Sequence, residues 1–248
     1  MNITLVGYGK MGKAIENVAI KKGDAIIGIV DPVADGANFK KIESINKEKT
    51  DCVIDFSHPS CAIDNIKFYI ENDIKAIIGT TGWYDKIDKI KALLKPQSAI
   101  MYSGNFSIGV AVFLEIIKKA SAYMDKLLSY DASIYEIHHN QKADSPSGTA
   151  IMVADCIKNN LKRKDKVIYG NSAGKINPNE LQISSIRLGS TFGVHSAMFD
   201  SEEDTIEIKH TAKTRNGFAK GAVDCAHWIF ENKKQGLLTL DEYIKELI

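Results

Sequence analysis

The chain has 248 residues, a formal net charge of +1, 44% hydrophobic residues and 25% charged residues. This is enough apolar material for one large or two small domains, and it excludes both a disordered chain and a polybasic one adapted to nucleic acid or acidic membranes. Four cysteines, Cys52, Cys61, Cys156 and Cys225, occur without a C-x-x-C pair, so a disulfide framework or cysteine metal cluster is not expected, and they read as small buried residues in a reducing compartment.

Met1-Asn2 runs directly into Ile3-Thr4-Leu5-Val6 with no secretory leader, and a cytoplasmic location is expected. Short Val/Ile-rich runs at residues 3–6, 25–30, 52–55, 75–78 and 99–101 predict strands, separated by amphipathic stretches that predict helices. Such alternation implies parallel strands joined by crossovers, an α/β fold with a doubly wound sheet. Residues 35–50 are mostly polar and weakly periodic, a degenerate crossover. From residue 107 to 126 a long amphipathic helix is predicted. Its apolar run at 108–114 is far short of the roughly 20 residues that cross a membrane. Strands of alternating polarity follow at 130–138, 182–188, 193–199 and 205–211, which suit a mixed or antiparallel sheet in a second α+β domain covered on one face by helices. Helices over 216–231 and 240–247 end the chain, and periodicity leaves open which domain they join.

Gly7-Tyr8-Gly9-Lys10-Met11-Gly12 follows the first predicted strand and opens a helix, the context in which G-x-G-x-x-G binds a dinucleotide. Gly7 permits the turn, Gly9 admits the pyrophosphate and Gly12 lets helix pack on strand. Asp31 ends the second strand, where its carboxylate is expected to bond both ribose hydroxyls of NAD and repel the extra phosphate of NADP. Lys10 is the only cation near the loop. Gly79-Thr80-Thr81-Gly82 and Ser103-Gly104-Asn105-Phe106 end the fourth and fifth strands, where ligands of such sheets lie. The nicotinamide is expected there, with ordinary strand-to-helix turns as the alternative.

The stretch from Glu136 to Ala150 contains His138, His139 and Lys142, and then Ser145-Pro146-Ser147-Gly148-Thr149, the chemistry of a helix start. Imidazoles that titrate near neutrality, an amine and a helix N-terminus make a site for a small anion with a proton carrier attached. Adjacent histidines on a strand point to opposite faces, so the duller alternative packs one and solvates the other. No metal is expected: neighbouring histidines do not readily share an ion, and no cysteine or glutamate stands at ligand spacing.

These motifs together resemble the dihydrodipicolinate (4-hydroxy-tetrahydrodipicolinate) reductase family. The resemblance rests on the glycine fingerprint, Asp55-Phe56-Ser57, Gly79-Thr80-Thr81-Gly82, Ser103-Gly104-Asn105-Phe106-Ser107 and above all E-x-H-H-x-x-K-x-D-x-P-S-G-T-A at 136–150. Arg187, Gly193-Val194-His195, His210 and residues 215–222 also fall where the family has similar sequences. The resemblance implies hydride reduction of a ring dicarboxylate in lysine and diaminopimelate biosynthesis. His138 is then the general acid/base, Lys142 the proton donor, and His139, Gly148 and Thr149 the substrate contacts. It also implies a dinucleotide domain of residues 1–106 and 216–248, a substrate and oligomerisation domain of 107–215, and a homotetramer.

Two departures bear on the cofactor. His58 stands where many members that use NADPH have arginine, and Pro32 where some have arginine after the acidic residue, so NADH is the expected preference, with NADPH tolerated. An amino-acid or diaminopentanoate dehydrogenase of the same architecture, or a silent nucleotide sensor, is the competing reading. The intact His-His-x-x-Lys and Ser-Gly-Thr pattern argues for the reductase.

Overall fold

The structure is a computed structural model that describes residues 1–172 and 174–247. The chain divides into two compact units, one made of Met1–Ile108 with Arg215–Ile248 and the other of Gly109–Thr214. Among the described residues no helix is long and apolar enough to cross a membrane.

The first unit is built on a six-stranded parallel sheet in the order β11-β5-β4-β3-β1-β2. Its strands are β1 (Asn2–Val6), β2 (Ala25–Val30), β3 (Cys52–Asp55), β4 (Ala76–Ile78), β5 (Ala99–Tyr102) and β11 (Gly236–Thr239). β3 and β4 are buried at every position, as expected for central parallel strands covered on both faces. The helices are α1 (Lys10–Lys22), α2 (Pro59–Glu71), α3 (Ile87–Leu93), α6 (Asn216–Glu231) and α7 (Leu240–Leu247). α1 turns Gly12, Ile15 and Ala19 inward and stops at Gly23, whose φ of 91° closes the helix in the left-handed region. His58 caps α2 by accepting from the Ser60 amide, with Pro59 in the first turn.

Two features go beyond the sequence expectations. β11, which lies between the two predicted C-terminal helices where no strand is predicted, pairs with β5 and extends the sheet from the far end of the chain. The polar segment at 35–50 contains no α-helix, only a 3-10 turn at Ile42–Ser44 and a lone bridge from Val30 to Phe39. Its low apolar content cannot supply the stripe that a helix needs to dock on the sheet.

The second unit is a five-stranded mixed sheet in the order β10-β9-β6-β8-β7, with β6 (Asp131–His138), β7 (Lys166–Tyr169), β8 (Glu180–Arg187), β9 (Gly193–Asp200) and β10 (Thr205–Ala212). β6 runs antiparallel to β9 and parallel to β8. Its core contains Phe113 and Ile117 from α4 (Ile108–Met124), Val153 and Ile157 from α5 (Gly148–Asn160), and Ile134, Ile183 and Phe199 from the strands. In β6 burial alternates: Ala132, Ile134, Glu136 and His138 are buried and the residues between them are not. The strand period of two therefore places a carboxylate and an imidazole on the face that holds the apolar core.

Candidate active site

At the nucleotide end, the strand order reverses between β1 and β3, the switch point at which parallel sheets bind ligands. Gly7 has φ +87°, and a Cβ there would lie 2.3 Å from the Phe56 carbonyl oxygen; one on Gly12 would lie 2.3 Å from the Gly7 carbonyl oxygen. Gly9 is different, because a Cβ on it would meet nothing within 4 Å. Gly7 and Gly12 are thus demanded by the turn and by helix packing, whereas Gly9 leaves backbone open to a ligand.

A cavity of about 190 Å³ beside this loop is lined by Met11, Phe56, Ser57, Pro59, Gly79, Thr80 and Thr81. It joins the glycine loop to the loop after β4. Beneath it the buried Asp55 carboxylate accepts from the Ser57 amide and hydroxyl, Thr80 Oγ1, Asn65 Nδ2 and the Tyr69 hydroxyl. Burial and the Asp55 charge push the Tyr69 phenol up, which keeps it a donor. Thr80 is itself buried and committed to this network. In the loop after β5, Gly104 lies beside Thr81, where a Cβ would be 3.6 Å from the Thr81 methyl. Ser103 bonds within the loop to Asn105, and Phe106 is buried with its ring 6.0 Å from that of Phe56. Phe106 is therefore a packing element. Lys10 is exposed, and the Tyr8 hydroxyl donates to Glu16.

Asp31 departs from the expectation of a pair of ribose bonds. Its Oδ2 accepts from the Tyr8 amide at 2.8 Å, and its Oδ1 accepts from the amides of Val33 and Ala34 at 2.9 and 2.8 Å. A carboxylate has about four acceptor positions, so about one remains for a ligand. Burial alone would raise this carboxyl, but the three amides and the charge of Lys40 hold it below its ordinary value. Lys10 is thus not the only cation here: Lys40 acts on Asp31, and Lys13 Nζ stands 5.6 Å from the centroid of the Tyr8 ring in the loop.

The second unit carries the motif at 136–150. Ser147 caps α5, its hydroxyl accepting from the Ala150 amide, and the helix begins at Gly148, two residues after Pro146. A Cβ on Gly148 would meet nothing within 4 Å, so this first turn is open to a ligand. Lys142 Nζ lies 2.6 Å from Asp144 Oδ1, and this bond holds the Asp144 carboxyl below its ordinary value. His138 and His139 separate as strand geometry requires: His138 ends β6 in the interior, while His139 lies just past the strand and is half-buried.

Glu136 is the hub of this site. It is fully buried and accepts from the Ser147 amide, Ser185 Oγ at 2.8 Å and both terminal nitrogens of Arg187 at 3.4 Å. Arg187 also donates to the Asp144 carbonyl at 2.7 Å, which ties the loop to the hub. His195 Nε2 stands 3.0 Å from Ser147 Oγ and 3.7 Å from Glu136 Oε2. His138 Nδ1 faces Glu136 Oε2 at 3.3 Å, and its ring packs edge-on against that of His195. Burial would raise the Glu136 carboxyl, yet the bonds from His195, Ser147 and Ser185 hold it well below the usual carboxylate range. Burial pushes His138 down to about 4; the charges of His195, Lys142 and Arg187 add to this and Glu136 opposes it. At neutral pH the site thus holds a neutral imidazole beside an ionised carboxylate.

Glu136, His138 and His195 bring three donor atoms within 4.8 Å of one another, a grouping that the sequence spacing did not suggest. Glu136 and His195 are both engaged with Ser147, so the arrangement as it stands is a hydrogen-bonded one. The cysteines take no part. All four are free, and Cys61 and Cys156 are only half-buried, contrary to expectation. Burial raises the thiols of Cys52, Cys156 and Cys225, leaving them poor nucleophiles.

The family model for the N-terminus of dihydrodipicolinate reductase matches residues 1–106, and that for its C-terminus matches residues 109–244. The chain belongs to the dihydrodipicolinate reductase family. Among its relatives, the 4-hydroxy-tetrahydrodipicolinate reductase of Christiangramia forsetii is 38% identical over 100% of this chain and 99% of its own. That of Thermosipho africanus is 37% identical over 99% of each. The dipicolinate-bound dihydrodipicolinate reductase of Paenisporosarcina sp. TG-14 shares the fold, with a TM-score of 0.80 at 21% identity over 96% of this chain and 97% of that one. The dihydrodipicolinate reductase motif displays its histidines and lysine openly in sequence. Arg187 and His195, which complete the buried hub, lie far along the chain, and only the pairing of β6 with β8 and β9 brings them in.

Proposed function

We propose that this chain reduces 4-hydroxy-tetrahydrodipicolinate to tetrahydrodipicolinate with a nicotinamide dinucleotide, a step of lysine and diaminopimelate biosynthesis. The observation that carries this reading is a full-length family match in which a buried neutral His138, Lys142 and an open helix start stand in one loop system. In this reading residues 1–106 and 216–248 bind the dinucleotide, and 107–215 bind the substrate.

The residues of the first unit fit such a cofactor: Gly9 leaves its backbone open, and the adjacent cavity is lined by Met11, Thr80 and Thr81. When bound, the dihydronicotinamide supplies a hydride. The chain's own residues do the rest. Lys142, His139 and the first turn at Gly148 and Thr149 hold the two substrate carboxylates, Lys142 exchanging its Asp144 partner for one of them. His138 and Lys142 deliver the proton that quenches the electron density arriving on the ring. Burial of His138 keeps water from competing for that proton.

The favoured cofactor is NADH. Asp31 keeps its negative charge at the end of β2, where a 2′-phosphate would approach, and Pro32 supplies no cation beside it. A homotetramer assembled through the second sheet accompanies this reading, supported by the exposed Ile186, Leu188, Phe192 and Ile206. Sedimentation in solution checks the oligomer.

The test follows NADH and NADPH oxidation while a synthase generates the substrate from aspartate semialdehyde and pyruvate. Absence of substrate-dependent oxidation with both cofactors overturns the function. Equal or better efficiency with NADPH overturns the preference alone.

A further inference from the structure

The fully buried carboxylate of Glu136 has no role in the chemistry above. On one side it receives Ser147, Ser185 and Arg187. On the other stands His138 Nδ1, 3.3 Å from Oε2, buried and without a hydrogen bond of good geometry. The charged and titratable groups that face His138 are Glu136 on its own strand, His195 on β9, Arg187 on β8 and Lys142 in the loop. Glu136 is the one anion of these four. A lone pair on Nδ1 would face carboxylate lone pairs across this gap and be repelled, whereas an N–H dipole there is attracted. The hydrogen bond or charge at one imidazole nitrogen decides which nitrogen carries the proton. Nε2 lies on the side where Gly193 has no side chain, and a Cβ at that position would come within 3.0 Å of it.

We propose that Glu136 is a positioning residue for His138: it keeps the proton on Nδ1 and leaves the Nε2 lone pair free to accept. This role rests on the proposed reduction and on the part His138 has in it. Nε2 accepts a hydrogen bond from the Lys142 ammonium and aims it, and that ammonium's proton passes to the substrate carbon, leaving a neutral amine that later regains its proton from solvent. His138 stays neutral and Glu136 stays ionised throughout. His195, packed edge-on with ring centroids 4.9 Å apart, resists a flip that would exchange the two nitrogens.

The test is the ¹⁵N spectrum of the histidine rings in the free wild-type protein near neutral pH, with His138 assigned by its absence in His138→Gln. The Nδ1–H form is expected. Glu136→Gln should lose that bias and lower turnover by about 10²-fold with little change in substrate KM, and Glu136→Asp, which keeps the charge, should restore the Nδ1–H form and part of the turnover. A Glu136 that merely tied Ser147 and Arg187 would alter stability and leave the tautomer alone. An Nε2–H His138 in the wild type overturns the proposal whether or not any variant folds. An unchanged tautomer in folded Glu136→Gln, or a lost one in folded Glu136→Asp, overturns it too. Failure of the reduction itself appears in the coupled assay and leaves the ring spectrum unaffected, so the two readings fail separately.

Discussion

Acidification should destabilise the second unit through His138. In the folded chain burial holds this imidazole at about 4, against 6.5 for its ordinary value. A histidine kept neutral by folding binds its proton more readily when unfolded. Between 6.5 and about 4 the unfolded chain therefore holds more protons, and stability falls as pH falls. Across the whole window the loss is about 3 kcal/mol, a large share of the roughly 5–15 kcal/mol that domains possess. Glu136 acts later and with the same sign. Its lowered carboxyl contributes stability above its unfolded value of 4.5, and that contribution is lost only as pH falls below it. Urea unfolding at stepped pH, followed by far-ultraviolet circular dichroism, measures the slope in wild type and in His138→Gln. Trp83 and Trp228 both lie in the first unit, so tryptophan fluorescence serves as an internal control. His210, also lowered by burial, remains in both proteins and cancels in the comparison. The variant should lose stability less steeply between 6.5 and 4.5. Equal slopes in the two proteins would refute the buried neutral imidazole.

His138→Gln and Lys142→Ala should each lower turnover by about 10²-fold or more in the coupled assay, while Thr149→Val should act mainly on substrate KM. Gly9→Ala and Gly12→Ala should separate binding from folding. A Cβ on Gly9 meets nothing in the protein, so that variant should melt like wild type and lose NADH affinity in a fluorescence titration. On Gly12 it meets the Gly7 carbonyl oxygen at 2.3 Å, and unfolding experiments should show a loss of about 1–3 kcal/mol. Asp31→Asn removes the charge and keeps one acceptor oxygen for the loop amides, so the ratio of kcat/KM for NADPH to that for NADH should rise; an unchanged ratio would remove Asp31 from cofactor choice.

Much of this molecule is readable in sequence because its signals are local. The step from β1 through the glycine loop to α1 places three glycines at fixed offsets, and the structure gives Gly7, Gly9 and Gly12 three different steric reasons. The α6 and α7 stripes carry their own periodicity, and the alternation along β6 is plain. What escaped reading depends on contacts between distant segments. β11 is only four residues long, and its identity as a strand comes from pairing with β5. β7 is short and half-exposed at the edge of the second sheet, so its side chains show no core pattern. Asp31 looks like a ribose ligand in sequence, and only the turn that follows reveals three backbone amides already bound to it.

Glu136 shows most sharply where legibility ends. Its burial was implicit in the strand period: once Ala132 and Ile134 face the core, Glu136 and His138 must face it too. A carboxylate on that face is tolerable only if something pairs with it, since an isolated buried charge costs several kcal/mol. The sequence states this requirement without naming the partner. β8 supplies Arg187 and Ser185, β9 supplies His195, and the start of α5 supplies the Ser147 amide. Two of these three elements, β8 through Arg187 and β9 through His195, also face His138, so the device that makes the buried carboxylate affordable also keeps the imidazole dry and neutral. A polar residue in register with a core stripe, two positions before a candidate acid/base, is therefore a sequence signal for a supporting carboxylate, and it can be read before any fold is known.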